Sequence, residues 1–70
     1  MVPLDLVDIG EENVIKKVGG SPDVKKHLED LGFTAGGLVT IVSAMGGNVI
    51  VKVKESRIAI SREMARRIMI

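Results

Sequence analysis

The 70-residue chain has no cysteine, tryptophan or tyrosine, only two prolines and one histidine, and a single aromatic ring, Phe33. Without cysteine there is no disulfide, no thiol nucleophile and no thiolate metal site, a pattern that fits a reducing compartment. One ring offers no stacking platform for single-stranded nucleic acid. Charge of one sign is missing too: ten Lys and Arg stand against nine Asp and Glu. A net charge of +1 gives little long-range field to draw the chain onto nucleic acid or anionic lipid. No apolar run approaches the ~18 residues that span a bilayer, and Asp5 and Asp8 interrupt the stretch that would form a signal peptide. The expectation is a cytoplasmic protein with no direct membrane insertion and no nucleic-acid partner.

What is present is aliphatic. With 46% hydrophobic and 27% charged residues the chain is globular in composition. Its core has to be built from Val, Ile, Leu and Met. The length allows one domain, residues 1–70, with no second core.

Glycine punctuates the chain. Pro3-Leu4-Asp5-Leu6-Val7 reads as a first short strand, with Pro3 at its start, and Gly10 as a turn. Asn13 to Val18 reads as a second strand, closed by Gly19-Gly20. The clearest helix start follows, with Ser21 as N-cap, Pro22 at the first helical position and Asp23 in the first turn. Val24, Leu28 and Leu31 recur at i, i+4 and i+7 on one stripe. Gly32 is placed to end the helix in the left-handed conformation, which predicts a helix over 22–31.

A strand from Leu38 to Met45 meets Gly46-Gly47, which can supply the two positive φ angles of a primed turn. Pairing Met45 with Asn48 then puts Leu38, Thr40, Val42, Ala44, Val49, Val51 and Val53 on one face, the expected core side. A second tight turn at Glu55-Ser56 would pair Val53 with Ile58 and Val51 with Ile60. Ser61 caps a short helical turn through Arg66, and Ile68 to Ile70 forms a last strand. Five to six short strands joined by glycine turns, with one inserted helix and a C-terminal helical turn, predict an all-β, SH3-like barrel.

Catalytic chemistry lacks parts. His27 is the only imidazole, and each serine sits at a cap, a strand or a turn without an identifiable base, so no enzymatic role is expected. Asp23, His27 and Asp30 fall at i, i+4 and i+7 on one helix face. Two carboxylates and an imidazole at that spacing are a weak candidate set for ferrous iron or zinc. They equally make an ordinary solvated face, and Lys25 and Lys26 beside them repel a cation. The four methionines are dispersed and fit core filling better than copper binding. Gly36-Gly37 and Gly46-Gly47 lack the downstream Lys-Ser/Thr of a phosphate loop. The second hairpin face, with Val39, Ile41, Met45 and Ile50 beside Ser43, Asn48, Lys52 and Lys54, is divided between packing under the helix and serving as an apolar patch with a basic rim.

The ordered set Gly10, IKKVGG (15–20), LEDLGF (28–33), Gly36-Gly37 before VTIV (39–42), Gly47 before VIV (49–51) and RIAI (57–60) with Ala65 and IMI (68–70) resembles the FeoA family. These are small accessory proteins of bacterial ferrous iron transport. Where many relatives have proline before the turn glycine this chain has Ala35, and the family's frequent proline in the central hairpin is absent. The resemblance implies an SH3-like barrel that docks on the cytosolic GTPase domain of the FeoB-type membrane ferrous iron transporter, and so a place beside the inner face of the membrane. The domain also looks like the carboxy-terminal module of diphtheria-toxin-repressor-type metalloregulators. The expected docking residues are Leu28, Leu31 and Phe33 at the helix and its exit, with Val39, Ile41 and Ile50 of the hairpin. No resident cofactor is expected, and the chain is expected to be a monomer or a weak homodimer. The alternatives are a nucleic-acid- or ribosome-binding barrel and a weak divalent-metal-binding regulatory domain.

Overall fold

The computed structural model describes all residues, Met1–Ile70. Its strands are β1 (Glu12–Val14), β2 (Lys17–Val18), β3 (Leu38–Met45), β4 (Asn48–Val53), β5 (Ser56–Ser61) and β6 (Ile68–Met69). Helix α1 (Pro22–Asp30) lies between β2 and β3, and the single turn of α2 (Arg62–Ala65) between β5 and β6. One sheet has the order β1-β3-β4-β5 and a second pairs β2 with β6, all antiparallel. Fourteen buried aliphatic and aromatic side chains fill the space between them in a single cluster. This is the all-β, SH3-like barrel that the glycine-punctuated short strands predict.

Helix α1 follows its capping chemistry closely. The Ser21 hydroxyl accepts from the Val24 N–H at 3.4 Å, and Pro22 occupies the first turn, where a missing donor costs nothing. At the other end Gly32 takes φ +109°. Its N–H donates to Glu29 and that of Phe33 to Leu28, both at 3.0 Å, the paired bonds of a Schellman motif. The motif brings Leu28 and Phe33 together, and both are fully buried. Leu31 and Val24 pack only partly against the core.

The N-terminal reading needs correction. Leu4–Leu6 is a 3-10 turn, and Pro3 makes only an isolated bridge with Met69. Within this turn Leu4 is buried, and the Asp5 side chain, 7% exposed, turns toward Arg66 and accepts from its Nε at 3.0 Å. Nor is Asn13–Val18 one strand. The chain bonds Gly37 and Gly36 through Ile15, then Met69 through the Lys16 N–H, and so passes from one sheet to the other. That crossing buries Ile15 and joins the two sheets around one core.

The central hairpin has the expected turn and first pairs: Met45 with Asn48, Ala44 with Val49 and Ser43 with Ile50. Of the two turn glycines only Gly46 has positive φ, +58°, as a type II′ turn requires. The ladder then shifts, and Ile41 pairs with Val51, Thr40 with Lys52 and Val39 with Val53. Val42 is the extra residue of a β-bulge, and one extra residue exchanges the faces of everything beyond it. Val39 and Ile41 therefore point into the core, at 1% and 3% exposure, while Leu38 stands half in solvent. The core row expected at Leu38, Thr40 and Val42 is reversed.

The second turn is centred on Lys54-Glu55, with Lys54 at φ +56°, one residue earlier than Glu55-Ser56. Moving the turn by one shifts the pairs by two, which keeps the same face: Val51 meets Ile58 and Val49 meets Ile60. Ile60 is buried and Ile58 half-buried, both on the inner side as expected. Ser61 then caps α2 through the Met64 N–H at 3.1 Å.

Candidate docking face

The sheet β1-β3-β4-β5 has the core against its inner side and solvent on its outer side. By the observed register one outer row runs Glu12, Thr40, Lys52, Arg57 across all four strands. The next row holds Val14 opposite Leu38, at 48% and 50% exposure, with Lys54 in the adjoining turn. Beyond the bulge come Ser43, Ile50 and Ala59, then Met45, Asn48 and Ser61. Glu12, Leu38, Thr40, Lys52 and Lys54 line a shallow depression of about 280 Å³. This face is uncovered, mixed in polarity and richer in cations than in anions.

The electrostatics of the face are one-sided. The one ion pair of the molecule is Arg66 with Asp5, elsewhere in the fold. Lys52, Lys54 and Arg57 thus have no carboxylate within 4.0 Å, Glu12 on the same row included. Lys52 sits directly opposite Arg57, a like-charge pair that weakens the ladder slightly. Apolar side chains beside uncompensated cations are the composition of a polar-rimmed protein contact.

Four of the residues expected to dock are core instead. Leu28, Phe33, Val39 and Ile41 are at most 3% exposed, Val39 and Ile41 because of the bulge, Leu28 and Phe33 because the helix cap locks them inward. Leu31 and Ile50 are half-buried, and of the two Ile50 lies on the outer sheet face. The residues the sequence reading missed there are Val14, Leu38, Thr40 and Arg57. One signal pointed to them: Thr40 is a polar residue in the middle of a row assigned to the core.

Asp23, His27 and Asp30 all lie exposed on α1. They do not converge, since no group of three or more His, Asp or Glu side chains is placed to hold a metal ion. With no cysteine to add, these residues do not fit a resident metal. Ser21 and Ser61 spend their hydroxyls on helix caps. No helix is long and apolar enough to cross a membrane.

Three comparisons fit this arrangement. The family model described as the FeoA domain matches residues 2–70. A candidate Fe(2+) transport protein A of Methanocaldococcus jannaschii is 33% identical over 70 residues, covering 100% of this chain and 85% of its own length. Among solved structures, the iron uptake regulatory protein FeoA superposes with a TM-score of 0.86 at 27% identity, over 96% of this chain and 89% of the other. The zinc-complexed FeoA of Stenotrophomonas maltophilia, an SH3 domain protein, gives a TM-score of 0.86 at 23% identity over 99% and 88%. At that identity the last likeness speaks for the fold.

Proposed function

The chain belongs to the FeoA domain family, and from that premise we propose that it is a non-catalytic cytosolic accessory protein of ferrous iron uptake, docking on the GTPase part of a FeoB-type transporter and modulating it. Ferrous iron is the cargo of that system, so the reading needs no resident metal in this chain. The observation that carries it is the outer sheet face, where Val14 and Leu38 stand about half exposed beside Lys52, Lys54 and Arg57.

The face suits a moderate, regulated contact. Its cations steer and orient an acidic partner, and its aliphatic residues supply the area that slows dissociation. Because the chain carries little net charge, recognition depends on this local patch. The test is a binding titration of the purified cytosolic GTPase domain with the wild-type chain and with Lys52→Glu. The reading expects saturable binding that the substitution weakens and that falls with added salt. Absence of binding at high micromolar concentration contradicts it.

A further inference from the structure

Strand β5 is the outermost of its sheet and has β4 as its only strand neighbour. In an antiparallel ladder, pairs that exchange backbone hydrogen bonds alternate with pairs that do not. Arg62 donates to the Gly47 carbonyl at 3.0 Å just beyond the β4–β5 ladder, which sets the phase. Val49 with Ile60 and Val51 with Ile58 are then bonded pairs, and Ile50 with Ala59 and Lys52 with Arg57 are not. The N–H and C=O groups of Arg57 and Ala59 therefore point away from β4. No backbone group outside the ladder bonds them, and both residues are exposed.

Free edges of this kind are usually blunted by proline, a bulge or an inward-pointing charge. SRIAIS (56–61) has no proline, bulge or inward charge, and Arg57 is its one charged side chain: its inward residues, Ile58 and Ile60, pack toward the core and the β4–β5 register is unbroken. The edge is thus open to an extended chain. Charge selects which chain. A second copy joined at β5 would only add its own Arg57 and Lys52 to an already basic sheet face, whereas an acidic strand would neutralise both and the neighbouring Lys54.

We infer that β5 accepts an extended acidic segment of a partner protein as a fifth strand, whose main chain bonds Arg57 and Ala59 and whose outer-face carboxylates meet Arg57 and Lys52. Main-chain bonds of such an added strand give affinity, and alternate side chains give specificity. The inference rests on the docking reading above only for the identity of the protein that carries the segment.

The experiment follows amide hydrogen exchange in the ¹⁵N-labelled full chain during titration with two synthetic peptides of about eight residues, strand length. One alternates Glu with Val and the other Lys with Val. The acidic peptide is expected to slow exchange of the Arg57 and Ala59 amides by about tenfold or more, and the basic one to leave them unchanged. Ala59→Pro removes an edge donor without touching the β4 ladder and should abolish the protection. Arg57→Glu leaves the main chain intact and should weaken the response, which decides the matter if the proline variant does not fold. Equal responses to both peptides, protection at other amides only, or a dimer of the chain that occupies β5 overturns the inference. A GTPase domain that binds wild type and Ala59→Pro alike overturns it while sparing the docking reading. Peptide protection without any binding of that domain does the reverse.

Discussion

Both sides of the β3–β4 hairpin carry large apolar residues, and those residues have opposite fates. Inward, Val39, Ile41, Val49, Val51 and Val53 are all at most 3% exposed. Outward, Leu38 and Met45 stand at 50% and 66% exposure, with Lys52 between the apolar residues. Hydrophobicity does not decide which aliphatic residue is core. The bulge at Val42 does, because it changes the phase of β3 halfway along while β4 runs on unbroken. In a 70-residue chain, a single backbone irregularity thus separates the residues that hold the fold from those free to meet a partner.

The largest effect should come from exchanging chemistry between the two sides at adjacent positions. Ile41→Ala opens a cavity in the core and is expected to cost about 2–5 kcal/mol, enough to unfold much of a small domain. Thr40→Ala next to it should stay within about 0.5 kcal/mol. Urea midpoints measure both, and equal losses would break the comparison.

Deletion of Val42 is the next sharpest test. Without the bulged residue, Ile41 still meets Val51 and Ser43 still meets Ile50, so both halves keep their faces. The expected result is a folded protein with Val39 and Ile41 still buried, destabilised by about 1–3 kcal/mol from the lost side chain and strand bend. Cross-strand contacts read by NMR would show a reversed face if the account is wrong.

A smaller effect of opposite sign is expected at the second turn. Lys54 holds φ +56° without being glycine, so Lys54→Gly should relieve strain and raise stability by roughly 0.5–1 kcal/mol, net of the entropy it adds to the unfolded chain. Thermal melting gives the sign. The smallest stability effect belongs to the outer face itself. Leu38→Ser should change stability by less than about 0.5 kcal/mol and yet weaken binding of the transporter domain.

These contrasts also explain what could be read in advance. Helix α1 was legible because Ser21, Pro22 and Gly32 act through local chemistry, and a cap works the same way in any fold. The Met45–Asn48 turn and the Ser61 cap were legible for that reason too. The bulge was not, since nothing in VTIVSAM (39–45) marks Val42 as the extra residue. The turn at Lys54 was hidden because lysine rarely takes positive φ. Leu4–Leu6 left the strand pattern under a tertiary influence: Asp5 finds Arg66, a partner 61 residues away. Val39 and Ile41 were misassigned because a face read from alternation fails once the phase slips, and Leu28 and Phe33 because the Schellman cap turns both into the core.

The central claim is that the outer sheet face meets the partner while the inner face holds the fold. Chemical-shift mapping of the ¹⁵N-labelled chain during titration with the cytosolic GTPase domain tests it most directly. The account predicts the largest perturbations at Leu38, Thr40, Lys52, Arg57 and Ala59, and small ones at Asp23, His27 and Asp30 on α1. Perturbations centred on α1, or none at saturating partner, would contradict it.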